Sequence, residues 1–359
     1  MSVQHVHLKN FTVFEDLALD FSPGINVLLG ANGTGKSHLM KVVYAVARVC
    51  VRQTQSRPQQ KDKWPADLLW KLGAVFRSDN SNTGRLVRKN KTDKQASILV
   101  TIGNMKLEVS LPSTGGLLSP LHPGAIKTGP ASIFLPAREV LSMYEGFVSA
   151  YLSRELSFDE TYFDLCVALG AKPLKGPKAE MATALLQPLR DRLHAEVHQK
   201  GDRFYVEMPG EAPFEAHLVA EGYRKLASLM YLIKNGSIGE KSVLFWDEPE
   251  ANLNPRLIKV VADFLLSLAA SGIQIFVATH DYLLTNELSL QAEYHTEAAK
   301  KAEIRFFGFH REGNGPAQVQ TGATLADLDE NPIMEEFAAL YDRERNLFRQ
   351  AGVAENPGA

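Results

Sequence analysis

Two cysteines in 359 residues cannot staple a fold or furnish a tetrahedral metal site. Cys50 and Cys166 lie in separate apolar segments without ligand spacing, which excludes disulfide scaffolds and zinc modules and favours a reducing compartment. No run approaches the ~18 consecutive apolar residues that a membrane-spanning helix needs. The start, MSVQHVHLKNF, has neither the basic leader nor the apolar core of a signal peptide, so the expected location is cytoplasmic, with no membrane partner. Nor does one sign of charge dominate: Lys and Arg number 39 against 41 Asp and Glu, a formal net charge of -2. Any polyanion site must then be a local patch. Internal repeats and sustained heptads are absent as well, which excludes solenoids and long coiled coils. What is present is core material: 45% of residues are hydrophobic and 22% charged. That is enough for one large domain or two ordinary ones.

Val3 to Leu8 and Leu17 to Phe21 alternate as half-buried strands do, and Ser22-Pro23-Gly24 turns the chain into the apolar run Ile25 to Leu29. Ser37 to Arg52 reads as a helix and residues 53–63 as a polar loop. Residues 84–111 suggest a small antiparallel sheet, with RLVRKNKTDKQASILVTIG as strand, polar turn and strand. A Pro- and Gly-bearing linker covers 112–130, ahead of a strand from Ser132 to Leu135. Residues 138–199 are mostly helical by period, interrupted near 172–178. A hairpin of Arg203–Met208 with Phe214–Leu218 follows, then a helix from about 222 and a strand from Ser242 to Trp246. Next come a helix at 255–270, a strand at 273–278, a helix from about 281, a hairpin over 303–320 and an amphipathic helix over 332–349. Strands alternating with helices at both ends predict an α/β core with a parallel element.

Three strand ends carry the chemistry. Gly30-Ala31-Asn32-Gly33-Thr34-Gly35-Lys36-Ser37 fits the phosphate-loop pattern, in which glycines let successive N–H groups face phosphates at a helix N-terminus. Lys36 would reach the β- and γ-phosphates, and Ser37 would ligate Mg²⁺. The apolar strand Val243–Trp246 delivers Asp247 and Glu248 to its C-terminal end, where open α/β sheets place ligands. Asp247 suits the metal, and Glu248 suits the base that polarises an attacking water. A third apolar strand, Ile273–Ala278, ends in Thr279-His280-Asp281, and His280 there can bond phosphate and water together.

DEPEANLNP (247–255) resembles the Walker B and D-loop of ABC-type ATPases, and ATHD (278–281) resembles their switch histidine. HLKNFTVFEDLALDFSPGINVLLGANGTGKS is similar to the N-terminal lobe of the soluble branch of that class. That branch holds RecF-like, chromosome-maintenance (SMC) and overcoming-lysogenization-defect (OLD) ATPases, and PAREVL (136–141) is similar to ATPases close to OLD. The resemblance covers roughly residues 1–52 and 130–290. It implies an ABC-type head: a mixed N-terminal β lobe plus a parallel RecA-like sheet, with an inserted helical lobe. The nucleotide-binding core would be 1–52 and 203–320, with a small β lobe at 53–130, a helical lobe at 131–202 and a C-terminal helix and tail at 321–359.

The resemblance also implies ATP and Mg²⁺, hydrolysis, and a signature segment offered to the γ-phosphate by a second copy. VAEGYRK (219–225) is the best match, with Ala220, Glu221 and Gly222 at the start of an apolar helix and Asn252 in the D-loop. Such a helix N-terminus has free N–H groups for a phosphate. The family usually has serine where Ala220 stands, and Asp or His where Asn254 stands. No glutamine occupies the Q-loop position after the strand at 132–135, where Arg138 or Glu139 could serve. Phe11 and Phe14 are either core residues or a border for adenine.

One set of motifs per chain implies a homodimer or an even-numbered assembly. Fewer than 80 residues follow His280, which leaves no room for the OLD nuclease domain, so Asp327-Leu328-Asp329 is not expected to be its metal pair, and Asp329 or Asn331 is expected to cap the following helix. Two readings of function remain open at this point. One is a switch ATPase of a defence or toxin-type system that controls a separate effector such as a nuclease. The other is a RecF-like, DNA-binding repair ATPase, with Arg85, Arg88, Lys89, Lys91 and Lys94 as a possible phosphate patch on the expected hairpin.

Overall fold

The computed structural model describes residues 2–55, 64–89, 94–116, 119–120, 129–208 and 210–350. β1 (Val3–Phe11) and β2 (Phe14–Asp20) pair antiparallel and bury alternate residues, among them Val6, Leu8 and Phe11 against Phe14, Leu17 and Leu19. That period of two follows from strand geometry with one wet face. β3 (Ile25–Gly30) is buried on both faces, hence its unbroken apolar run. The glycine loop then leads into α1 (Lys36–Gln55), whose Leu39, Met40, Val43 and Ala47 are fully buried. α2 (Trp64–Phe76) occupies a stretch to which the sequence pattern assigned nothing. It is locked by Lys71, whose buried ammonium donates to Glu160 (2.7 Å) and Asp164 (2.6 Å).

β4 (Gln95–Ile102), β5 (Met105–Pro112) and β6 (Ser119–Pro120) extend the first sheet in the order β2-β1-β4-β5-β6. Two expectations change here. The hairpin turns at 103–104, where Gly103 has φ +55°, and not in the charged stretch; residues 83–86 form a 3-10 turn instead. Nor is 53–130 a lobe of its own, because β4 hydrogen-bonds along β1. Lys91, residues 56–63 of the expected polar loop and much of the linker lie outside the described residues, while 53–55 belong to the end of α1 rather than to a loop.

β7 (Ser132–Leu135) is wholly buried and leads into α3 (Phe147–Leu152), α4 (Glu160–Leu169) and α5 (Pro177–Leu193). β8 (Glu196–Lys200), β9 (Arg203–Glu207) and β10 (Phe214–Glu215) form a small antiparallel sheet. The main hairpin is therefore β8 with β9; the expected pairing of 203–208 with 214–218 is reduced to two residue pairs. Then follow α6 (Glu221–Lys234), β11 (Val243–Asp247), α7 (Pro255–Ala270), β12 (Gln274–Thr279), α8 (Tyr282–Glu293) and α9 (Glu297–Ala302). β13 (Arg305–His310), β14 (Gln318–Gly322) and α10 (Pro332–Gln350) close the described chain.

The central sheet runs β14-β13-β3-β12-β11-β7, parallel except for β14. Its register puts Asp247 beside Ala278 and Thr279 beside Leu29, so three apolar strands end at one edge. One core, which includes Val27, Leu229 and Leu265, lies between this sheet and the helices α6 and α7. A second core gathers α1 and the first sheet against Phe245, Phe276 and Phe307 on the other face.

Cys50 and Cys166 are buried, and burial pushes both thiols up to about 12. Among the described residues no helix is long and apolar enough to cross a membrane. Of the two expected caps, Asn331 serves, accepting from the backbone N–H of Ile333 and Met334, while Asp329 shows only a backbone donation to Gln320; Asp327 accepts from the N–H of Ala323 and Thr324 in the turn before. The apolar stripe of α10 packs on the rest of the chain only at its start. Phe337 meets the ring of Tyr282 at 4.2 Å, while Leu340, Tyr341 and Leu347 stay exposed.

Candidate active site

Gly30 and Gly35 take φ of +142° and +103°. A Cβ would stand 2.2 Å from the Phe309 carbonyl oxygen at the first and 2.6 Å from Phe14 and Val13 at the second. Both conformation and space therefore require glycine there. Phe14 lies directly under the loop and, like Phe11, is fully buried, so both are core residues and not a border for adenine. Gly33 (φ +80°) meets nothing within 4 Å, and with Ala31 and Asn32 it forms an open rim. Thr34 closes the loop by donating to the Ala31 carbonyl (2.9 Å).

Lys36 folds back over this loop and donates to the carbonyls of Gly30 (2.6 Å) and Ala31 (2.9 Å). Burial lowers its proton affinity, against the opposing pull of Asp247, Glu248 and Glu250. Ser37 Oγ donates to Asp247 Oδ1 (3.1 Å). Burial pushes the Asp247 carboxyl above its usual range, and the Ser37 hydrogen bond only partly offsets this. A hydroxyl beside a carboxylate whose charge is costly when bare is a donor pair suited to a hard cation such as Mg²⁺.

Glu248 sits one residue beyond the strand end with φ +49°, an uncommon conformation for a side chain of its size. Two backbone contacts hold it: its N–H donates to Ala278 (2.8 Å), and its carbonyl accepts from Lys225 Nζ (3.1 Å). His280 Nδ1 stands 3.6 Å from Glu248 Oε1, within reach of a carboxylate that turns toward it. Glu250 ties the two strand ends together by accepting from Thr279 Oγ1 (2.7 Å) and the His280 N–H (3.2 Å). Burial raises its proton affinity too.

Sequence comparison points the same way. A family model for an AAA domain of AbiEii-type toxins in type IV toxin–antitoxin systems matches residues 136–286, and a second AAA-domain model matches residues 5–65. The DNA replication and repair protein RecF of Lactococcus lactis subsp. cremoris is 28% identical over 120 residues, 31% of this chain and 33% of that protein. RecF of Limosilactobacillus fermentum is 30% identical over 124 residues, 31% of this chain and 32% of that protein. The chain thus spans about a third of the length of these relatives. In fold it is similar to an SMC head solved with the C-terminal winged-helix domain of ScpA, with 12% identity and a TM-score of 0.53 over 90% of this chain and 98% of that one. The two AAA-domain matches, the RecF relatives and the SMC-head fold together support an ABC-type P-loop ATPase of the RecF/SMC-like branch.

Within this ABC-type head, Lys36, Ser37, Asp247, Glu248 and His280 converge on one sheet edge. The residues matched to the signature, Ala220, Glu221 and Gly222, lie at the start of α6. Gly222 abuts its own D-loop so closely that a Cβ would come 2.7 Å from the Asn252 carbonyl and 2.8 Å from Leu253. Ala220 is the exposed N-cap residue of α6 and offers no side-chain cap. Asn254, the D-loop departure, caps α7 by accepting from the Arg256 N–H (2.9 Å), ahead of Pro255 at the first helical position.

Three ties escaped the sequence reading. Lys225 and Glu250 are buried links between the strand ends and their neighbours. Glu139, at the Q-loop position, forms a buried ion pair with Arg224 in the first turn of α6 (2.8 Å). Arg138 is exposed. The extra acid in DEPE and the paired bases in YRK were visible signals; their partners were not. Arg85 and Arg88 lie on no hairpin, and Arg88 donates to the Val13 carbonyl (3.0 Å).

Proposed function

We propose that this chain is an Mg²⁺-dependent ATPase that acts as a switch. Two copies close over ATP, each offering its Gly222 segment to the other's phosphate loop, and they reopen after hydrolysis to ADP and phosphate. The convergence of Lys36, the Ser37–Asp247 pair and Glu248 on adjacent strand ends supports this reading most strongly.

The backbone amides of residues 30–35 line the phosphates. Lys36 exchanges its two loop carbonyls for phosphate oxygens, which suits an ammonium already part-desolvated. Ser37 and Asp247 would hold Mg²⁺, which when bound would neutralise phosphate charge. Glu248 accepts the proton of the attacking water at its carboxylate, and His280 orients that carboxylate and the terminal phosphate. Lys225 fixes the Glu248 carbonyl, so the base points from a clamped backbone. The site needs a second copy because Gly222 faces its own Asn252 and Leu253.

For the biological role we favour the ATPase component of a cytoplasmic defence or toxin-type system that controls a separate effector, since the family match over 136–286 is to an AbiEii-type domain. The alternative, a DNA-repair ATPase, draws on the RecF relatives. Calorimetry on Lys36→Ala tests the site: loss of ATP binding is expected, and unchanged affinity refutes it. Purification from the native host tests the role. A stoichiometric protein whose activity follows the nucleotide state supports the effector reading, and DNA alone supports the repair reading.

A further inference from the structure

We propose that a groove of about 390 Å³, bounded by the end of α2, the start of α4 and the segment after β7, is a second ligand site that takes a nucleoside phosphate. The groove is lined by no residue of the phosphate loop, though His38, next to Ser37, packs on its Phe76, and the proposal does not rest on the ATPase reading. Two guanidiniums line it, Arg77 and Arg138, both exposed. Neither is paired with a carboxylate among the described residues. Arg77 instead donates to the Ser157 hydroxyl (3.0 Å), which fixes its direction along the groove wall.

The acid in the wall, Asp159, is already spent. It takes the Lys41 ammonium at 2.7 Å and caps α4 by accepting from the Thr161 N–H at 2.9 Å. Its charge is thereby neutralised, and the groove is left with net positive potential. Three rings complete the wall. Phe158 and Tyr162 stand 4.8 Å apart at 51°, and Phe76 is braced from behind by Phe11 and His38, each at 5.6 Å. Burial raises the Tyr162 proton affinity, so the phenol stays neutral and can donate.

Guanidiniums without a carboxylate partner beside half-buried aromatic rings are a pairing that can hold a phosphate and stack a base at once. The volume lies in the range of small-ligand sites and suits about one nucleotide unit. Walls of purely apolar character would select a lipid or peptide, and walls of arginine alone a bare anion.

The groove is also wired to the ATP site. Asp159 grips Lys41 on the phosphate-loop helix, and Arg138 adjoins Glu139, which is paired with Arg224 on the signature helix. An occupant pressing on Arg138 therefore bears on the helix that the second copy must meet.

The test uses the full chain with ATPγS and Mg²⁺ filling the phosphate loop. Fluorescein-labelled decathymidylate is titrated at low salt and followed by anisotropy, with thymidine 5′-monophosphate binding measured by calorimetry. Saturable binding is expected, weakened about tenfold or more by Arg77→Ala with Arg138→Ala and with a shallower salt dependence. An abasic decamer of the same length should bind several-fold more weakly, since stacking is lost. Competition by millimolar thymidine monophosphate identifies a free nucleotide as the occupant, and absence of competition identifies a strand. Equal affinity of wild type and double variant overturns the proposal, as does failure of both probes to bind. Lys36→Ala should bind the decamer as wild type does, so failure of the ATP reading leaves this result standing.

Discussion

Arg224→Ala probes the join between the segment after β7 and the signature helix. The Glu139 side chain is only 4% exposed and that of Arg224 15%. Glu139 is also held by the Ser142 N–H (3.2 Å) and hydroxyl, so it stays in place when its partner is removed. Stranding one charge of a buried pair costs about 3–5 kcal/mol. For a chain of this size that corresponds to a fall in melting temperature of roughly 4–7 °C. Adding Glu139→Gln removes the stranded charge while keeping a partner for Ser142. The double variant should then recover part of the loss, with a coupling energy of about 1–3 kcal/mol in calorimetric melts. The first turn of α6 also loses its anchor, so ATP-driven association should weaken while ATP affinity of the single chain holds. Additive losses, with coupling below ~0.5 kcal/mol, would refute the join.

Gly35→Ala should abolish ATP binding and lower the melting temperature, because φ is +103° and the new methyl meets Phe14 and Val13 at 2.6 Å; normal calorimetric affinity would contradict that geometry. Asp247→Asn should raise the melting temperature of the nucleotide-free chain at pH 7 while removing Mg²⁺-dependent turnover. Burial raises the folded-state proton affinity of Asp247, so its charged form destabilises the fold, and stability falls as pH rises out of the ordinary carboxylate range through the raised value. A lower melting temperature for the variant would show that the carboxylate stabilises the empty site. Ala220→Ser should add about 0.5–2 kcal/mol by capping α6, and should tighten ATP-driven association; no change in either melts or dimer affinity would place residue 220 outside both roles.

The site was legible where its chemistry is local. Gly30 to Ser37 and Asp247-Glu248 are short spacings at strand ends, and a period-two or apolar run announces each strand. Contacts that depend on closure of the chain were not legible. Glu139 and Arg224, or Lys225 and the Glu248 carbonyl, are distant in sequence, and nothing local marks them as partners. α2 escaped because Pro65 and Gly73 break its pattern, and its buried Lys71 reads as surface until Glu160 and Asp164 are seen beside it. The turn at 103–104 was displaced toward the charged stretch because polarity was weighed above the single Gly103, whose φ of +55° makes the hairpin.

The account turns on one active site shared by two chains. Sedimentation of Glu248→Gln with ATP and Mg²⁺ tests that directly, since the variant should bind ATP without consuming it. A dimer that forms with ATP, and is absent with ADP or with Lys36→Ala, is the predicted result. A variant that binds ATP yet stays monomeric, or that hydrolyses ATP at the wild-type rate, would contradict it.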